Sequence, residues 1–275
     1  MTTTERLLNV SKEIWEAYHE HPFVKGIADG SLDKEKFKYY MIQDYLYLID
    51  YTKVFALGAA KAKDLSAMKL FAGYTHAILD GEMDIHRAYM ARLGITPEEA
   101  ETANVALDNL SYTSYMLRVA YEEGQAEVAA AILSCAVSYE VIAKKIVEKH
   151  PEALNHPFYG EWVSGYVADA YHEENQVLID LMDRLSDGYS EKQLQHLEEI
   201  FTACSRYEMA FWDMAWDLDV FTQVVRLLYT IEALSLELWL SMTELPMLLF
   251  HKLMKLLMSV IIFFFALLLK KMLNI

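Results

Sequence analysis

The sequence predicts an all-α protein, on three observations. Apolar residues recur at three- and four-residue spacings over long stretches, strand-like alternation does not persist, and the 275 residues include only 10 Gly and 5 Pro. Hydrophobic residues make up 54% of the chain and charged residues 23%, a balance that fits a packed core and excludes a disordered or collagen-like chain.

Each element follows from its own local signals. Leu7 to Tyr18 is the first periodic stretch and predicts an amphipathic helix. Beyond Gly30, Asp33 is placed to cap a helix whose apolar pattern runs from Phe37 to Ala60. Met68 to Leu93 continues the period, and Thr96-Pro97-Glu98-Glu99 reads as a capping box with Pro at the first helical position. Val128 to Val147 and Trp162 to Leu185 are further helices; a second box over Ser190 to Gln193 opens the helix of Leu194 to Trp216. Connections are short and no Ser/Gly/Pro-rich linker divides them, so residues 1–219 are expected to form one helical domain.

Residues 220–275 are a different material. All ten glycines lie at or before Gly188, and the 55 residues from Phe221 hold five basic and three acidic residues. Between Lys252 and Lys255 on one side and Lys270 and Lys271 on the other, Leu256 to Leu269 has Ser259 as its one polar residue. That run reaches about 21 Å as a helix, against a hydrocarbon core of roughly 30 Å. Three readings stay open: a marginal membrane anchor counted from Met247, an apolar element packed on the domain or on another subunit, or an altered C-terminus with no selected role. Membrane contact is the less favoured.

The formal charge of −16 repels phosphate backbones and anionic headgroups, which argues against nucleic-acid binding. Cys135 and Cys204 form no CxxC, and Met1 to Val10 carries Glu5 and Arg6 rather than a secretory pattern. Free thiols in a reducing cytoplasmic setting are therefore expected. A di-iron bundle calls for two Glu-x-x-His pairs, whereas Glu16-Ala-Tyr-His19 is the single one here. His76, Glu82 and His86 share a segment at spacings unsuited to that motif, so no metal, haem or other cofactor is expected.

Candidate functional residues lie on faces that should be buried. The 18 Tyr outnumber the 12 Phe, and a buried phenol must satisfy its hydroxyl, so tyrosines on such faces suggest a polar cavity. Tyr40, Asp44, Tyr47 and Tyr51 are spaced four, three and four, which puts three phenols and a carboxylate on one helix face. Asp44 either pairs with a neighbouring Tyr or Arg or awaits a ligand donor. Cys135 and Tyr139 lie one turn apart among small residues that leave room for a guest, though a buried free cysteine is ordinarily inert core. Cys204 has no such setting. Glu208 precedes Phe211 and Trp212 by a turn; it is either a proton-carrying acid among aromatics or the salt-bridge partner of Arg206 or another Arg.

These residues resemble the TenA, or thiaminase II, family of thiamine salvage. The matching stretches are His21-Pro22-Phe23-Val24 with Gly26 and Gly30, Phe37-Lys-Tyr-Tyr40 into Gln43-Asp44, and Ser111-Tyr112-Thr113-Ser114. They continue with Cys135, Tyr139-Glu140, Trp162 with Tyr166, and Tyr207-Glu208 through Phe211-Trp212 and Met214-Ala215. The resemblance implies a heme-oxygenase-like bundle, a homotetramer, and hydrolysis of 4-amino-5-aminomethyl-2-methylpyrimidine to the hydroxymethyl pyrimidine plus ammonia, with cleavage of thiamine as a related activity. It assigns Cys135 as nucleophile in the cysteine-containing branch and Glu208 as acid/base. Asp44 would hold the ring edge, and Tyr47, Tyr112, Tyr139 and Tyr166 would line the pocket. A thiol adding to the ring breaks its aromaticity and lets the amine leave, so Cys135 is expected to be partly ionised, with a hydrogen bond from a Tyr or Glu neighbour. Two other classes are a non-catalytic pyrimidine-binding protein and a helical protein tethered by its tail.

Overall fold

The computed structural model describes residues 1–218, and the expectations for 220–275 lie outside the described residues. Twelve α-helices follow in order: α1 (Thr3–Val10), α2 (Lys12–Tyr18), α3 (Pro22–Asp29), α4 (Lys34–Lys61), α5 (Leu65–Ala77) and α6 (Met83–Arg92). After them come α7 (Pro97–Thr102), α8 (Leu107–Glu122), α9 (Gln125–Lys149), α10 (Gly160–Val167), α11 (Asp169–Leu185) and α12 (Glu191–Asp217). A π turn, Ile78–Glu82, joins α5 to α6, and a 3-10 turn, Pro151–Asn155, follows α9.

The caps act where the sequence places them. The Asp33 side chain accepts from the Glu35 N–H at 2.8 Å, and Thr96 and Glu99 complete a reciprocal box. The Gln193 side chain accepts from the Ser190 N–H at 3.0 Å. Three predicted helices are divided. Leu7 to Tyr18 breaks at Ser11, Met68 to Leu93 is interrupted by the π turn, and Trp162 to Leu185 breaks at Ala168, whose ψ of 142° is extended. Two helices are added: α3, a short one opened by Pro22, and α8, whose buried face begins with Asn109, Tyr112 and Thr113, so that polar residues hide the apolar period over its first turns.

At the centre runs α9, packed against α4, α8, α10, α11 and α12. Ala129, Ala130 and Ala131 are 5% exposed or less, and their small side chains let neighbouring helices close on it. Among the described residues α9 alone is long and apolar enough to cross a membrane, yet most of that stretch is buried inside the bundle, as befits a core helix. Tyr18 and Trp15 of α2 tie to α12 through the Ser205 carbonyl at 2.6 Å and the Ser205 hydroxyl at 2.9 Å.

Candidate active site

A cavity of about 390 Å³ opens between α4, the π turn, α6, α9, α10 and α11, a size suited to a small ring compound. Of the seven residues singled out in the sequence, Asp44, Tyr47, Cys135, Tyr139 and Tyr166 line it. The predicted face of α4 is buried along its length, with Tyr40, Asp44, Tyr47 and Tyr51 all 5% exposed or less. Its hydroxyls are engaged: Tyr51 donates to the Ile132 carbonyl at 3.1 Å, and Tyr40 donates to the Tyr139 hydroxyl at 3.4 Å while accepting from Trp162 Nε1 at 3.4 Å. Tyr139 and Tyr166 rings lie 4.8 Å apart, forming an aromatic wall beside the thiol.

Asp44 is held by a residue that its sequence context does not offer. His86 Nε2 lies 2.6 Å from Asp44 Oδ2, and its Nδ1 lies 2.9 Å from the Glu82 carbonyl one turn back. Both side chains are buried. Burial works against a charged imidazole, but the hydrogen bond and charge of Asp44 outweigh it and raise the His86 pKa to about 9. His86 is therefore an imidazolium at neutral pH, fixed in orientation by its bonds to Asp44 and to the Glu82 carbonyl. Glu82 also lines the cavity. Burial pushes its carboxyl up to about 7, with the His86 charge opposing and Asp44 and Glu174 adding to the rise.

Cys135 keeps part of its surface toward the cavity although it sits deep in the bundle. Burial, then the Glu208 charge, raises its thiol well above the usual range, and a hydrogen bond with the Tyr47 hydroxyl works the other way. The expected neighbour is thus present, while burial beside carboxyls works against the partial ionisation expected of the thiol. The Tyr47 hydroxyl also lies 3.7 Å from the Met116 sulfur.

Glu208 and Tyr112 stand behind the lining rather than in it. Tyr112 packs against Tyr47 with rings 5.3 Å apart. Glu208 is 2% exposed, while Arg206 lies exposed, which removes Arg206 as its ion-pair partner. Burial and the Asp44 charge push Glu208 up to about 8, and hydrogen bonding from Tyr112 and Tyr139 opposes this. The Tyr112 hydroxyl has no partner at ordinary hydrogen-bond geometry, so its help to Glu208 is that of a longer, weaker contact. Tyr139 lines the cavity and also favours the carboxylate of this acid, placing its hydroxyl between the two. Cys204 is fully buried core, as its sequence setting suggested. Glu140 is a structural acid: it takes hydrogen bonds from Asn175 at 2.7 Å and His172 at 2.6 Å, pairs with Lys144, and so fastens α9 to α11.

His86 and Glu82 are the functional candidates that sequence reasoning passed over. Their one-turn spacing was visible, but it was weighed only as a metal motif. Among the described residues no group of three His, Cys, Asp or Glu is arranged to hold a metal ion.

Comparison with known proteins agrees with this architecture. The sequence model described as the TENA/THI-4/PQQC family matches residues 9–218. A protein of Halalkalibacterium halodurans named aminopyrimidine aminohydrolase is 48% identical over 217 residues, spanning 79% of this chain and 96% of that protein. A TenA homologue from P. horikoshii superposes with a TM-score of 0.72 at 32% identity, over 78% of this chain and 99% of the other. A Shewanella denitrificans domain described as having a heme oxygenase-like fold superposes with a TM-score of 0.65, covering 81% of this chain and 95% of that one; at 13% identity this shows the fold alone. With most of its described length matched in sequence and its bundle matched in space, the chain belongs to the TENA/THI-4/PQQC family.

Proposed function

We propose that the protein hydrolyses aminopyrimidines in thiamine salvage, converting 4-amino-5-aminomethyl-2-methylpyrimidine to its hydroxymethyl counterpart plus ammonia. The observation that carries this reading is a tyrosine-walled cavity with a thiol, Cys135, and a charged carboxylate, Asp44, on the same lining. Asp44 accepts hydrogen bonds from the ring's amino edge while His86 holds it ionised, and Tyr139, Tyr166 and Tyr47 enclose the ring. As the Cys135 sulfur bonds to the ring carbon, Glu208 supplies a proton through the Tyr139 hydroxyl to the ring nitrogen that gains the electrons. The carboxylate so formed receives the thiol proton, and the resting neutral thiol is thereby no obstacle. Amine loss, water addition at the exocyclic carbon and expulsion of the sulfur then restore ring and enzyme. Thiamine, whose thiazolium occupies the leaving position, is a second substrate on the same path.

The same reading extends to a cytoplasmic homotetramer. Supporting it are two free thiols and the exposed Leu107 and Leu110 on one side of α8; sedimentation of the full chain and of a chain ending at Asp219 measures the assembly and the part played by the tail. The decisive experiment is ammonia release from the aminomethyl pyrimidine. The full chain is expected to turn it over, and Cys135→Ser to lose about three orders of magnitude or more while still binding the ring. Ring binding without turnover by the unaltered chain would instead favour a pyrimidine-binding protein, and full activity in Cys135→Ser would remove the nucleophile assignment.

A further inference from the structure

Five acidic side chains stand in or behind the cavity; two face a cation, one lies open to solvent and one lies behind the wall. Asp44 has its charge matched by His86 at 2.6 Å. Glu161, on the rim, pairs with Arg92 at 2.5 Å. Glu174 is an exposed rim residue, screened by solvent. Glu208 lies behind the wall with the tyrosines. Glu82 is the remainder: half-buried, on the lining, and with no hydrogen-bond or ion-pair partner for its carboxyl among the described residues. No Lys or Arg lines the cavity, and the one cation on the lining, the His86 imidazolium, commits both ring nitrogens to Asp44 and the Glu82 backbone carbonyl, leaving no donor for the Glu82 carboxyl.

The backbone explains how this carboxyl comes to face inward. The π turn of Ile78–Glu82 widens the helix by one residue and changes its phase. Leu79 on the other side is 44% exposed, while Ile78, buried at 4%, and Glu82, one turn on, share the face toward the cavity. π turns of this kind recur at functional sites, and here the turn delivers a carboxyl without a counter-ion.

We propose that Glu82 is the specificity-determining residue that receives the aminomethyl arm of the substrate as its ammonium ion. The proposal rests on the aminopyrimidine reading above and deepens it by naming the charge state that the site selects. An alkylammonium brings three N–H donors and one positive charge to a carboxyl that has neither. The same contact serves the reaction. A neutral amine would have to depart as an amide anion, whereas the ammonium departs as ammonia. In the sulfur adduct the ring nitrogen lone pair forms the new exocyclic C=C bond, the C–N bond breaks, and its electron pair leaves with nitrogen. Water then supplies the hydroxyl to the exocyclic carbon and its remaining proton to the released ammonia, so R–CH2–NH3+ and H2O give R–CH2–OH and NH4+. The neutral hydroxymethyl product has no charge for Glu82 to hold, which favours its release.

The test compares two ligands that differ in that one group, titrated by calorimetry into the full chain carrying Cys135→Ser, which stops turnover. The aminomethyl pyrimidine is expected to bind about tenfold or more tightly than the hydroxymethyl pyrimidine. Adding Glu82→Gln is expected to bring the two affinities within about twofold of each other, and Glu82→Asp to restore part of the difference. A preference that survives Glu82→Gln overturns the proposal, as does an equal loss of both ligands in Glu82→Gln and Glu82→Asp at unaltered Tm, which marks a structural role. Failure of either ligand to bind the Cys135→Ser chain before Glu82 is changed would instead overturn the aminopyrimidine reading itself, and the inference with it.

Discussion

The two sides of the cavity give buried acids opposite surroundings. On the α4–α6 side Asp44, 5% exposed, faces a protonated His86; on the α12 side Glu208, 2% exposed, has no cation beside it and keeps its proton up to about 8. Burial is nearly the same. The difference is a partner at 2.6 Å that carries a full positive charge, against tyrosine hydroxyls that carry none. Burial alone returns a proton to a carboxyl; burial with an imidazolium at hydrogen-bond distance fixes the charge. One wall is thus built to hold a ligand and the other to move a proton.

Replacing the proton-moving acid is the harshest way to break this contrast. Glu208→Gln preserves shape but cannot transfer a proton, and kcat is expected to fall by about three orders of magnitude with a much smaller change in KM. In the wild type kcat should fall as pH rises through about 8, where the acid form is lost; the variant should lack that limb. Wild-type stability should also fall with rising pH, over a lower window. The unfolded chain releases this proton near 4.5 and the folded chain only near 8, so the wild type loses stability as pH rises between those values, and Glu208→Gln does not. Denaturant melts at pH 5 and pH 8, run beside the pH–rate profile, check both signs.

How much of this contrast was legible in the sequence depends on what each residue's position reports. The face carrying Tyr40, Asp44, Tyr47 and Tyr51 follows from helical period because α4 is regular, and Cys135 is legible through its small neighbours on α9. His86 and Glu82 were not. Their spacings of four from Ile78 put them on its face, but a helical period says which face is buried and not that this face meets Asp44 across a cavity. Glu208 was placed correctly in the core but not behind the tyrosines, since a periodic pattern fixes a helix's buried stripe and leaves its register against neighbours open. The breaks at Ser11 and Ala168, the short α3 and the whole of α8 are hidden for local reasons: single residues that leave helical geometry without a Gly or Pro to announce it, a stretch of only eight residues, and a polar first turn.

The charge-holding wall is broken by removing its cation. His86→Leu leaves Asp44 buried without a partner, and is expected to cost about 3 kcal/mol while raising KM about tenfold more than it lowers kcat. The pH dependence distinguishes a lost charge from a lost shape. With a folded pKa of about 9 against 6.5 for an ordinary histidine, the His86 contribution is complete below pH 6.5 and disappears as pH rises through 9. The deficit of the variant should therefore be largest near pH 6 and shrink toward pH 10. His86→Gln, which keeps a donor but no charge, should recover part of the stability and none of that pH dependence.

The mildest test sharpens the contrast instead of breaking it. Tyr112 is fully buried, and its hydroxyl has no partner at ordinary geometry, so the folded state carries the cost of removing that group from water. Its one return is the weak contact that opposes the rise of Glu208. Tyr112→Phe keeps the ring stacked on Tyr207, 5.7 Å between centroids, and deletes only the hydroxyl. Thermal melts at pH 6, where Glu208 holds its proton with or without this contact, should show a gain of about 1 kcal/mol. The alkaline limb of the pH–rate profile should move upward from about 8, since a group that favours the carboxylate has been taken away. An unmoved limb would mean that Tyr139 alone addresses Glu208, and the proton path would then run through a single phenol.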